Sequence, residues 1–240
     1  MEFLEFYNGL TALIFVTISI VVSTKLILKY FKNKKRGILF AGFTWLLLSE
    51  LYWPVAISFV MILLINQPLS LELYFIIGAL LIPFGILSWL IVFTDLVYKS
   101  KQKIILGVQI ITGVIIEIFF IYFLFTNPGL IVERVGLIDG EYKSFMLYYF
   151  LFALAVFLIT GLIFARKGLG SEDPSIRLKS KLLIGAFIIF TIGLALDGLT
   201  PLILITITIY RILVIFAAFL FYSGFFLPIW IEKLLLKREG

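Results

Sequence analysis

The chain has 240 residues, 62% of them hydrophobic and 14% charged, with a net charge of +6 and a mean hydropathy of +1.17. Soluble domains carry roughly 45–50% apolar and about 25% charged residues, so this composition excludes a soluble globular domain and predicts an all-α, polytopic membrane protein. Cysteine and histidine are both absent, which excludes disulfides, thiol catalysis, thiolate zinc centres, His-ligated haem and an imidazole base.

Crossing roughly 30 Å of hydrocarbon takes about 20 apolar residues. Seven stretches qualify: residues 9–31, 37–65, 71–98, 104–126, 144–165, 182–199 and 202–230. Together they predict a single seven-helix transmembrane domain over residues 1–240. The start, Met1-Glu2-Phe3-Leu4-Glu5, has acids where a secretory signal carries basic residues, so the first stretch reads as a span. Pro54 and Pro83 fall inside the second and third stretches and predict a kink in each helix. Gly78, Gly85, Gly185 and Gly193 lie in helix interiors, where small residues allow close helix packing.

The basic residues are sorted by side. Seventeen of the 20 Lys and Arg fall on one side, in the segments 25–36, 99–103, 166–181 and 233–238, the last including Lys237 and Arg238. Arg134 and Lys143 fall on the other side, and Arg211 lies within a span. The positive-inside rule then predicts an outside N-terminus and a cytoplasmic C-terminus. This placement also assigns the net positive charge to topology and excludes nucleic acid as a partner. Tyr30, Tyr98 and Trp230 are expected as interfacial anchors at the basic edge, and Tyr7, Tyr74 and Trp53 at the opposite edge.

The loop 127–143 contains Ile138-Asp139-Gly140-Glu141. Asp-Gly is a hairpin-turn signal, so either a β-hairpin lid or an irregular loop fits. Asp95 and Lys99 stand four residues apart and predict a surface ion pair.

Four ionisable residues fall deep within the apolar stretches: Glu50, Glu117, Asp197 and Arg211. Such residues are costly in a bilayer and face the bundle interior, paired. At about 1.5 Å per residue, Glu50, Glu117 and Arg211 come to one level, with Asp197 somewhat nearer the outer surface. These four are the candidate ligand-binding residues. Tyr210, Tyr222 and Thr191 could add hydroxyls to the same site. The alternative is structural: an Arg–Asp clamp that fixes helix register. No residue pattern calls for a cofactor or a metal, and no catalytic residue stands out.

The seven-span layout with an outside N-terminus resembles that of microbial rhodopsins. Those attach retinal to a lysine in the last span, where this chain has Arg211 instead, so a retinal protein is not expected. The topology, the loop lengths and the exit segment Phe225-Phe226-Leu227-Pro228-Ile229-Trp230 before a basic tail resemble the N-terminal membrane sensor modules of archaeal and bacterial histidine kinases. That resemblance implies a sensor in a prokaryotic plasma membrane that binds a small ligand and signals to a cytoplasmic protein. The competing expectations are a small proton-coupled transporter using the same charges, a lipid-modifying enzyme, and a structural subunit.

Overall fold

The computed structural model describes residues 1–236; Lys237 and Arg238, counted above with the basic segments, lie outside the described residues. Among the described residues, seven helices are long and apolar enough to cross a membrane: α1 (Phe3–Asn33), α2 (Arg36–Ile65), α3 (Leu71–Leu96), α4 (Lys99–Thr126), α5 (Ser144–Leu169), α6 (Pro174–Leu199) and α7 (Leu204–Phe226). A short helix, α8 (Ile229–Leu236), follows. Several ends differ from the hydropathy reading because local capping sets them. Glu2 and Glu5 form a capping box that starts α1 at Phe3. Asp173 caps α6, whose first residue is Pro174. Leu227, with φ 46°, ends α7 ahead of Pro228.

Six helices close a ring. α1 packs on α2 and α7, α2 on α3, α3 on α5, α5 on α6, and α6 on α7. α4 stands outside the ring against α3, and only Gly113, Phe120 and Leu124 of it are fully buried.

Both prolines interrupt their helices. α2 passes through a 3-10 turn at Ser49–Tyr52 before Pro54, and α3 breaks between Ala79 and Ile82, just ahead of Pro83. A proline ring displaces the carbonyl four residues earlier and removes one N–H donor. The two breaks face each other, with Gly78 of α3 set against the Pro54 ring, where an added Cβ would come within 3.0 Å of it. α4 docks at the second break. Gln109 donates to the Pro83 carbonyl at 3.2 Å, and a Cβ on Gly113 would lie 3.0 Å from the Pro83 ring. Gly85, Gly185 and Gly193 also sit at close helix contacts, against Leu47, Leu220 and Val214.

The centre of the ring is aromatic. Trp89 is fully buried and packs on Phe157, Phe164 and Phe187; Trp45 packs on Phe190 and Phe221. Each indole N–H has a hydroxyl acceptor, Thr160 for Trp89 at 2.7 Å and Ser19 for Trp45 at 3.3 Å, as buried indoles require.

The two ends of the bundle are chemically distinct. At the basic end, Asp95 pairs with Lys99 and with Arg36, Lys167 reaches the Leu96 carbonyl at 2.9 Å, and Lys29 donates to the last carbonyls of α7 at Phe225 and Phe226. At the other end the loop between α4 and α5 forms a two-stranded antiparallel hairpin, β1 (Val132–Val135) and β2 (Asp139–Tyr142). Of the two readings of this loop, the hairpin is the one present. Its turn is not Asp-Gly, however. Val135 pairs with Asp139, so the connection is Gly136-Leu137-Ile138, with Gly136 at φ 62° supplying the left-handed position. Asp139 and Gly140 belong to the second strand, which frees the Asp139 side chain to point down into the bundle.

Candidate functional site

Beneath the hairpin lies a cavity of about 150 Å³. Its roof comes from Asp139 and Tyr142 of β2, and its floor from Phe157 and Phe190 of the aromatic centre. Its polar wall is built by α2, α3, α6 and α7, which contribute Tyr52, Tyr74, Asp197 and Arg211.

Arg211 is 2% exposed. Its Nη2 donates to Asn8 Oδ1 at 2.7 Å, and its guanidinium stacks over Tyr52 at 4.2 Å and Tyr210 at 5.2 Å. Its Nε and Nη1 are buried with no hydrogen-bond partner. Asn8 passes the contact outward, its Nδ2 donating to Asp139 Oδ2 at 2.6 Å. The other Asp139 oxygen accepts from the Tyr74 hydroxyl at 3.0 Å and from Gly140 N–H at 2.7 Å. A chain of contacts therefore runs from α7 through α1 to the hairpin and on to α3. Glu5 and Arg134 hold the hairpin from its other side, Glu5 accepting from Leu137 N–H and Arg134 donating to the Leu69 carbonyl, both at 2.9 Å.

Asp197 lines the cavity close to Arg211 and to the Tyr52 and Tyr210 hydroxyls. It makes no direct ion pair: among the described residues, salt bridges join only the Asp95 and Glu133 carboxylates to their partners. The Tyr52 and Tyr210 hydroxyls lie within hydrogen-bonding reach of it.

The four charges expected at one chamber divide into two groups. Asp197 and Arg211 line the cavity; Glu50 and Glu117 do not. Glu50, 1% exposed, occupies the 3-10 turn of α2, and both its oxygens accept from Leu81 N–H, at 3.0 and 2.9 Å. That donor is one of those left open by the break in α3, so Glu50 caps a helix inside the bundle. Glu117 lies on the α4 face that meets α3 and α5, within electrostatic reach of Glu50, Tyr142 and Tyr149. Its Oε2 is buried without a partner, as are the Tyr142 and Tyr149 hydroxyls. The shared level estimated from residue counts does not bring the acids together, because α4 stands outside the ring.

Three residues of this network, two lining the cavity and one bridging Arg211 to the lid, were not singled out for this role in the sequence. Asn8 had no signal, being a neutral amide near the start of a span. Tyr74, expected as an interfacial anchor, is 2% exposed and binds Asp139. Asp139 was read as a turn residue. Of the hydroxyls considered, Tyr210 is at the site, whereas Tyr222 lies beside Lys25 and Phe226 near the basic end. Burial pushes the Tyr142 hydroxyl well above its ordinary pKa, with nearby carboxylates adding to the effect. It therefore stays protonated, a neutral donor under the hairpin.

The Asp139 contacts make the hairpin a latched lid. Asp139→Ala removes the acceptor of three donors at once, each bond worth about 1 kcal/mol. The expected result is faster amide exchange at Gly140 by tenfold or more, roughly the factor that 1.4 kcal/mol produces, with exchange in the aromatic centre unchanged. Unaltered Gly140 exchange would show that strand pairing alone holds the lid.

No protein-family model, curated protein or solved structure matches this chain.

Proposed function

We propose that the protein is a receptor-like sensor module of a prokaryotic plasma membrane. In this reading the hairpin end faces outward and the basic end faces the cytoplasm. A small ligand enters under the hairpin, meets Arg211 and Asp197, and shifts the balance between two arrangements of α6 and α7. A ligand moves such a balance only through its differential affinity for the two states. The observation that carries the proposal is Arg211, a buried guanidinium with two unpartnered nitrogens beside a cavity. A purely structural clamp would be expected to engage those nitrogens.

A route inward supports the reading. α6 carries Asp197 near one end and Ser175 at the other, where Ser175 donates to Glu232 of α8 at 2.5 Å. Leu178 of α6 packs with Leu227 and Ile231 in a small separate core. Movement of α6 or α7 is thereby transmitted to α8 and to the basic surface around it, where a cytoplasmic signalling protein or anionic lipid head groups would dock.

The alternative is a proton-coupled carrier, favoured by one observation, the unpartnered Glu117 Oε2. Reconstituted liposomes separate the two. The sensor reading expects no solute-coupled or proton flux. Robust flux abolished by Glu117→Gln would establish the carrier. Orientation is tested independently, because a chain without cysteine gives single-site labelling without background. Glu141→Cys is expected to react with a membrane-impermeant maleimide on intact cells, and Ser171→Cys only after lysis. The reverse pattern would overturn the sidedness.

A further inference from the structure

We propose that the cavity binds a small zwitterion with an apolar side chain, the chemistry of a neutral hydrophobic amino acid. The inference rests on the ligand-binding reading above and specifies what the ligand must be.

The polar wall offers two opposite charges held apart. Arg211 presents Nε and Nη1 without partners, and these donors call for an acceptor. Asp197 borders the same cavity and has no cationic partner in direct contact among the described residues, so an ammonium group would meet an opposite charge there. The two side chains attract each other yet form no ion pair, and both line the cavity, so a molecule with both an ammonium and a carboxylate group would meet an opposite charge at each end. The Tyr52 and Tyr210 hydroxyls, each on a residue 1% exposed, lie beside both charges and can turn to donate to a ligand carboxylate as well. Asp139 already accepts from Asn8, Tyr74 and Gly140, which ties it to the lid.

The rest of the cavity is apolar: Ile86, Phe150, Leu154, Phe157, Phe190 and Leu194. It would take a branched or aromatic side chain and reject a charged one. A cation alone would leave the Arg211 donors buried and unmet. An anion alone would set its charge against Asp197 without a compensating ammonium. Each mismatch leaves a buried polar group unpaired. At about tenfold per 1.4 kcal/mol, the half-matched molecules should bind roughly 10–100-fold more weakly.

The test uses the full chain in lipid nanodiscs and two matched series. L-leucine is compared with 3-methylbutylamine and 4-methylpentanoate, and L-phenylalanine with phenethylamine and 3-phenylpropanoate. Each series removes one charge and keeps the apolar part. Equilibrium binding is read together with the thermal-unfolding shift. The expected result is binding of the two amino acids, with the amines and acids weaker by about 10–100-fold. Asp197→Asn, nearly isosteric, should reduce amino-acid binding by a similar factor while helix content and monodispersity are kept. Leu154→Trp leaves both charges in place and should weaken L-phenylalanine more than L-leucine. Amine binding equal to amino-acid binding would make this a cation site and overturn the proposal. Equal binding of the acid, or no binding of either amino acid, would overturn it too. Each of these outcomes leaves the sensor reading standing, because that reading is decided by the flux measurement.

Discussion

Glu50→Ala is expected to destabilise the bundle by about 2–4 kcal/mol. The Leu81 N–H, which both Glu50 oxygens now accept, would be left as a buried donor with no partner, at a cost of about 1–3 kcal/mol. The volume vacated by the side chain adds a cavity term. Glu50→Gln keeps one carbonyl acceptor at the same reach and should lose about 1 kcal/mol or less. The measurement is unfolding of the purified protein in mixed micelles, with hydrogen exchange at Leu81 as a local report. Exchange there should rise sharply in the alanine variant and little in the glutamine variant. Equal loss in both would mean that the negative charge matters rather than the acceptor, and Glu50 would return as a candidate for direct ligand or proton chemistry.

Trp89→Ala is expected to cost about 3–5 kcal/mol, the usual range for emptying a large aromatic site. Trp89 is fully buried and fills the space between α3, α5 and α6 through edge contacts with Phe157 and Phe164 and a tilted contact with Phe187. In an apolar solvent the loss comes mainly from missing dispersion contacts rather than from transfer out of water. Thr160→Val removes the indole acceptor without changing shape, leaving one buried N–H unpaired at about 1–3 kcal/mol. The two changes share one interaction, so the double variant should cost less than their sum. Strict additivity in the same unfolding assay would show that the Thr160 bond contributes nothing. Phe157 and Phe187 frame the ring beneath the cavity, so Trp89→Ala should also weaken any ligand bound above it.

The architecture was legible in the residues because it follows from local quantities. Apolar length set the number of helices, and Pro54 and Pro83, expected to kink their helices, mark the two places where α2 and α3 depart from regular α geometry. Small residues marked close approaches such as Gly193 against Val214. Asp-Gly signalled a hairpin, though the signal misplaced the turn by three residues, because Gly136 takes the left-handed position that the connection needs.

By itself the sequence determined that the chain holds seven helices apolar and long enough to cross a membrane, that its basic residues gather in four segments, and that Glu50, Glu117, Asp197 and Arg211 place charge within apolar stretches. Only the tertiary structure decided how the charges are shared out. Depth along a helix can be counted from residue number, but rotation about its axis and position around the ring depend on packing between residues far apart in the chain. α4 lies outside the ring, which takes Glu117 away from Arg211. The two proline breaks face each other, which turns Glu50 into a cap for Leu81. The hairpin folds inward, which brings Asp139 to Asn8 across 131 residues and chooses the lid over the irregular loop that the local pattern left equally open.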